Sequence, residues 1–541
     1  MLAACAFSAF TLNAGAQSIQ DATKAIEKNQ FTLATNMLQA VIQKEPANAT
    51  AYYHLGTIYL YNEIDDSAKY FFDKAMQANA NEPLSYVGQG RYLLSKKQNN
   101  EARAQFNKAL ELSKNKNAYI MNQIADAYVD VQSAIGADFA IEMANKAKDM
   151  DKKNLYYAVT AGDAWRLQGD GSKGVAEYKA AAAKDPKFAL APLRVGELYS
   201  KLRSFKEAEN YFNTVVAIDP NYAPVYKGFG ELYYQTGKSA LALENYKKYL
   251  DMVGRSIPER IRYASFLFVN KMYPEAITEL ETAKPYAAEN PLLLRLLGYA
   301  QYETGKYEEG VKTIEKYFEI MQPKQDKIIG KDYEYYGRLL SKTGKEELAV
   351  TNLRKGIEQD TTATELYDVI ADVYAAQKKY KEAAQEVATK IKKTKDNPNN
   401  QDWFALGRYQ YMGSDFVGAD TSFTKVNEYF PSYAVGYLYR ARANSQLDPK
   451  SDKGLAKPHY EAFIDKVLYE GSQDAVASTE RQVNEANVNK YKKEIVEAYY
   501  YLASYHYFTK KDSAASKTYA AKVLELDPNH SKTKELQKLL K

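Results

Sequence analysis

Cysteine is almost missing from this chain. A single Cys, Cys5, in 541 residues excludes an internal disulfide framework. Histidine is scarce as well, and four His exclude a His-rich metal protein. Neither sign of charge dominates: 73 Lys and Arg stand against 68 Asp and Glu, a net charge of +5. A balance that close argues against a surface dedicated to nucleic acid. No stretch after the first residues reaches the ~18 apolar residues of a membrane-spanning helix, so no transmembrane segment is expected in the mature chain. Disorder is excluded too, because 45% of the residues are hydrophobic and 26% charged. What the chain has in excess is tyrosine, 48 of 541 residues.

The first residues read as an address. Met1 to Leu12 (MLAACAFSAFTL) is apolar and uncharged. Ala14 and Ala16, just before Gln17, fit signal-peptidase cleavage after Ala16. Residues 1–16 are therefore expected to be a signal peptide, and the mature protein to be periplasmic or exported. The basic stretch that normally opens such a peptide is absent. Leu2-Ala3-Ala4-Cys5 offers an alternative, a lipoprotein box with the lipid on Cys5. There the apolar stretch should precede the Cys, and here it follows. Cleavage after Ala16 leaves no thiol at all, which suits an oxidising compartment.

The rest of the chain repeats itself, and a repeat of this kind governs the fold. Ala34, Leu38, Val41 and Pro46 set a frame. It returns as Ala68, Phe72 and Ala75, as Ala102, Phe106 and Ala109, and as Ala208, Phe212, Val215 and Pro220. The steps from Gly56 to Gly90, from Gly162 to Gly196 and from Gly196 to Gly230 are equal in length. Units begin near Gly15, Ala49, Pro83, Ala118, Leu155, Ala189, Ala223, Ile257, Pro291, Gly330, Thr364 and Asn400. A degenerate unit follows near Ala434, and a last one begins near Glu497 and closes at Pro528. Each holds two apolar-periodic helical segments. Small residues such as Gly56 and Ala68 let the helices approach, and large ones such as Tyr59 and Phe72 fill the space beside them. One hairpin cannot bury both of its apolar faces, so each must stack on the next. Thr236-Gly237-Lys238, Thr304-Gly305-Lys306 and Thr343-Gly344-Lys345 mark one turn in three units, and Gly169 marks it in another. Asp185-Pro186, Asp219-Pro220 and Asp527-Pro528 close second helices.

This pattern resembles the tetratricopeptide repeat (TPR) family, of a bacterial exported type, over about nine tenths of the chain. The resemblance implies an all-α fold, a right-handed superhelical solenoid of about 12 to 14 stacked helix-turn-helix repeats. The expected organisation is a signal peptide (1–16), an N-terminal and central array (17–390), a polar join (391–401) and a continued array (402–444). An irregular extended repeat or insertion (445–490) and a last repeat with a closing helix (491–541) complete it. Distant repeats of a solenoid are expected not to meet.

Catalytic signatures are weak. Lys342-Thr343-Gly344 matches a penicillin-binding motif, but it occupies the repeat turn. Gly169 to Gly174 has glycines and a lysine without phosphate-loop spacing or a preceding strand. His54, His459, His506 and His530 fall in different units and phases. The expectation is no enzyme, no catalytic residue, no cofactor and no metal.

The inner groove is the better candidate. Family members often bind along the first helices of successive units, and the register places Tyr53, Thr57 and Tyr61 there. It adds Tyr156, Asp163 and Arg166, then Lys227, Glu231 and Tyr234, then Arg295, Tyr299 and Tyr302. Further on come Lys331, Glu334 and Arg338, and finally Phe404, Arg408 and Tyr411. Aromatics with interspersed arginine suit protein surfaces. The Lys/Asn/Arg carboxylate clamp of the chaperone-binding subclass is absent at the matching positions. The expected function is a non-enzymatic scaffold or adaptor in the cell envelope. Its expected partners are proteins or peptides, including those of an outer-membrane or secretion complex. The alternative is a carbohydrate- or peptidoglycan-associated module, since tyrosines can stack on sugar rings.

Overall fold

The computed structural model describes residues 19–394, 400–469 and 483–540. The signal peptide and lipoprotein readings lie outside the described residues, as do part of the join and part of the irregular segment. Among the described residues there are 30 α-helices and no strand. The chain divides into two units, Met1–Lys306 and Tyr307–Lys541. The division falls inside the stretch read from sequence as one array.

The first unit holds α1 (Ile19–Glu27), α2 (Phe31–Lys44), α3 (Ala49–Tyr61), α4 (Asp65–Ala78), α5 (Pro83–Ser95) and α6 (Asn99–Leu112). It continues with α7 (Ala118–Asp130), α8 (Ala137–Met150), α9 (Leu155–Gln168), α10 (Gly171–Lys184), α11 (Leu190–Lys201) and α12 (Phe205–Ile218). It ends with α13 (Ala223–Gln235), α14 (Ser239–Val253), α15 (Ile257–Val269), α16 (Tyr273–Ala283) and α17 (Pro291–Glu303). The second unit holds α18 (Tyr307–Met321), α19 (Gly330–Lys342), α20 (Glu346–Gln359), α21 (Leu366–Ala376), α22 (Tyr380–Lys393) and α23 (Asn400–Met412). Then come α24 (Phe416–Tyr429), α25 (Ala434–Leu447), α26 (Lys457–Tyr469), α27 (Glu485–Lys490), α28 (Lys492–Tyr505), α29 (Ser513–Leu526) and α30 (Ser531–Leu539). Helix starts at Ala49, Pro83, Ala118, Leu155, Ala223, Ile257, Pro291, Gly330, Asn400 and Ala434 coincide with the unit starts read from sequence. The last unit opens earlier than expected, at α28.

Neighbouring helices pack as antiparallel hairpins that stack in order, an all-α solenoid of a dozen or more helix-turn-helix repeats. The frame residues form its core: Ala34, Leu38, Ala68, Phe72, Ala75, Ala102, Phe106 and Ala109 are fully buried. The hairpins share one joint. A Cβ on Gly56 would stand 2.5 Å from the Phe72 ring, and one on Gly196 would stand 2.6 Å from Phe212. Gly90 meets Phe106, Gly162 meets Tyr178 and Gly407 meets Phe423 in the same way, and the separation in sequence never changes. Glycine here is a notch on the first helix into which a ring of the second is set.

The turn inside each hairpin also keeps one geometry. Gly237, Gly305 and Gly344 adopt left-handed φ of 72°, 77° and 72°, where a glycine meets little strain. Other units place Asn29, Glu63, Lys97, Arg203, Lys271 and Lys378 there, at φ of 58° to 62°. Asparagine tolerates this region; the other side chains hold the turn against their own preference.

Part of the irregular segment lies outside the described residues. Of its described part, α25 and α26 have 14 and 13 residues. Asp448 organises the loop between them, accepting from the backbone N–H groups of Lys453 and Gly454 at 3.0 and 2.8 Å. The last described helix is α30.

Candidate functional site

The first helices of the first unit carry polar side chains that are bound to one another. Arg91 on α5 is only 1% exposed. It donates to Asp126 of α7 at 3.0 Å and pairs with Asp130 one turn on. Its guanidinium also donates to the Tyr53 hydroxyl of α3 at 3.2 Å, and that hydroxyl donates to Gln123 at 2.7 Å. Two carboxylates thus share one cation. Confinement by protein, and then repulsion from Asp126, push the Asp130 carboxyl up to about 7, against the pull of Arg91. The Asp130 side chain is still 41% exposed to water. Burial, helped by Arg91, pulls His54 down to about 4, which keeps the ring neutral. Its Nε2 lies 3.3 Å from the Tyr119 hydroxyl.

The network continues along the unit. Asp163 of α9 accepts from the Tyr178 hydroxyl at 2.7 Å and pairs with Arg194 of α11 at 3.3 Å and with Arg166 at 3.4 Å. Arg194 also donates to Glu197 at 2.9 Å. Glu231 of α13 grips Arg262 of α15 through two bonds, the first at 2.7 Å. The buried Glu259 carboxylate accepts from Lys227 at 2.8 Å, from Tyr249 at 3.1 Å and from Tyr246.

Arg91 lies one repeat length after Thr57, and Glu197 lies midway between Asp163 and Glu231 at that same step. Arg91, Asp126 and Glu197 occupy the column read for other units and were passed over. Their shared place counted from the start of each unit was the signal that could have found them.

The expected groove residues have varied fates. Tyr53 and Tyr299 are 0% and 4% exposed; both are core residues rather than groove surface. Phe404 is held in an aromatic cluster with Phe423, Tyr433 and Tyr439, at centroid distances of 5.3 to 5.9 Å. Tyr411 packs on Phe416. Tyr234 is covered by the Arg262 guanidinium, 4.7 Å from the ring centroid. Arg338 donates to Glu334 at 2.9 Å. Arg295 and Tyr302 are half-buried, and Arg408 is exposed beside Tyr409.

Tyr61 and Tyr156 are brought to one seam, where the first two repeats meet units five to seven. Lys227 reaches the Tyr61 hydroxyl at 3.4 Å. The Tyr156 hydroxyl donates to Glu27, and Lys28 pairs with Asp219 at 2.9 Å. The expectation that distant repeats do not meet is therefore corrected. The first unit turns far enough for its beginning to touch its later repeats. No local pattern encodes that turn.

Among the described residues, no group of three or more His, Cys, Asp or Glu is placed to hold a metal ion. No described helix is long and apolar enough to cross a membrane.

Comparison with known proteins agrees with the geometry. The tetratricopeptide repeat model matches residues 84–116, 193–222 and 497–530. The C-terminal part of a TPR repeat-containing protein from Cytophaga hutchinsonii is 31% identical, with 51% of this chain and 98% of that one covered and a TM-score of 0.44. The chain belongs to the tetratricopeptide repeat family and carries a protein–protein interaction module of that type. A tetratricopeptide repeat protein from Parabacteroides merdae is 18% identical, covering 47% of this chain and 97% of that one, with a TM-score of 0.31. The anaphase-promoting complex subunit CDC16 of Saccharomyces cerevisiae is 23% identical over 202 residues, 37% of this chain. This chain spans about a quarter of that relative's length, 24%.

Proposed function

We propose that the protein is an exported, non-enzymatic scaffold of the cell envelope that binds a partner protein along the first helices of its repeats. The observation that carries this reading is the band of charged residues at one repeat position, Arg91, Asp126, Asp163, Glu197 and Glu231. Glu197 and Glu231 pair with Arg194 and Arg262, and each of these four side chains keeps about a third of itself in water. Such partly exposed pairs can exchange an intramolecular partner for one on another chain at small net cost. The apolar, uncharged Met1–Leu12 followed by Ala14 and Ala16 supports export. The test is affinity capture from envelope extract of the native host, run with the parent chain and with a Glu197→Lys/Glu231→Lys variant. The reading expects one dominant protein, lost with the variant. Retention on murein or glycan with no protein partner would favour the carbohydrate-associated alternative.

A further inference from the structure

The turn between α1 and α2 is read by three separate elements. The hydroxyls of Tyr156, at the start of α9, and of Tyr222, just before α13, both donate to the Glu27 carboxylate, the second at 3.1 Å. Lys28 pairs with Asp219 at 2.9 Å. Asn29 donates to the Tyr249 hydroxyl of α14 at 3.2 Å. Burial, and then Glu27, push both Tyr156 and Tyr222 above the ordinary phenol range, so both hydroxyls remain donors. An acid, a base and an amide in consecutive residues each find their complement. A short segment of a partner protein is recognised by the same kind of contact, but here the segment belongs to the chain itself.

This seam is built unlike the stacks. It is made by side-chain ends, and the helices facing each other across it do not pack along their lengths. A cavity of about 360 Å³ runs beside it, lined by Phe31, Thr35 and Asn62 from one side and Tyr249, Val253 and Ser256 from the other. Asn62 Oδ1 and Ser256 Oγ are shut away from water with no hydrogen-bond partner. An unpaired buried polar atom is costly, and a joint with few buried apolar contacts opens most cheaply.

We propose that the α1–α2 turn is an internal ligand. It covers a recognition surface formed by Tyr156, Asp219, Tyr222 and Tyr249, and that surface takes a partner-protein segment bearing an acid followed by a base. The proposal rests on the protein-binding reading above and assigns it one subsite. The arriving segment displaces the turn, and the seam opens.

The test uses the full chain in a Cys5→Ser background, with spin labels on Lys24→Cys and Asn221→Cys. Electron–electron double resonance should give one narrow, short distance. Glu27→Ala/Lys28→Ala/Asn29→Gly, which spares the left-handed backbone at 29, should give a broader and longer distribution. A synthetic peptide of residues 24–32 (KAIEKNQFT) should bind this variant at least tenfold tighter than the parent. The same peptide with its Glu-Lys order reversed should lose that gain. A narrow distance retained in the variant overturns the proposal. So does equal binding of the two peptides. Partner capture by the parent chain is read separately, so either failure leaves the scaffold reading to stand or fall by its own experiment.

Discussion

Two kinds of joint hold the first unit, and they obey different physics. Inside each hairpin, an aromatic ring of the second helix fills a glycine notch in the first, as Phe212 fills that of Gly196. That contact is apolar, dry and set by neighbours within one hairpin. At the seam, Glu27, Lys28 and Asn29 reach phenols and a carboxylate about 130 to 220 residues away. That contact is polar and half-open to water, and it lies beside a cavity. The comparison teaches that local stacking carries the stability, while the closure of the unit is a separate and weaker decision.

Truncating a ring should have the largest effect. Phe212→Ala is expected to lose about 3–5 kcal/mol in urea unfolding, because a fully buried ring leaves a cavity. Filling the notch from the other side is the next most costly change. Gly196→Ala should lose about 1–3 kcal/mol by overpacking against Phe212, and a neutral result would show that the ring has room to move.

The inner network sharpens the contrast through pH. Because the folded Asp130 carboxyl is raised to about 7, its contribution is fully present below the unfolded value of ~4 and fades as pH rises through 7. Stability should therefore increase as pH falls from 7 towards 5. The increment is of order 1 kcal/mol once solvent screening of a partly exposed group is allowed for. Asp130→Asn should flatten this component of the profile.

Smaller effects are expected at the turns and at the seam. Lys271→Gly should gain about 0.5–1 kcal/mol by relieving a left-handed lysine. Lys28→Ala or Asp219→Ala should each cost less than ~1 kcal/mol, as for other partly exposed pairs, and leave helicity unchanged. A seam variant that destabilised as much as Phe212→Ala would break the comparison.

Most of the hairpin architecture was legible in the residues. Gly56, Phe72, Ala68 and Ala75 carry their roles in size and spacing alone, and helix starts such as Pro83 and Pro291 coincide with the unit starts. The site was legible only in part. The column of Asp163 and Glu231 was visible, but the burial of Tyr53 and Tyr299 was not. A helix has a continuous circumference, and no local pattern says where its inner face stops and its neighbour begins. The seam was invisible for a deeper reason. The meeting of Glu27 with Tyr156 and Tyr222 depends on small rotations accumulated over several hairpins, which no single residue encodes.

Cross-linking between residues 28 and 219 tests the closure of the first unit most directly. Lys28→Cys/Asp219→Cys in the Cys5→Ser chain, treated with a short bismaleimide, should give a near-complete link within one molecule at high dilution. Absence of that link, or its appearance only between molecules, would contradict the account.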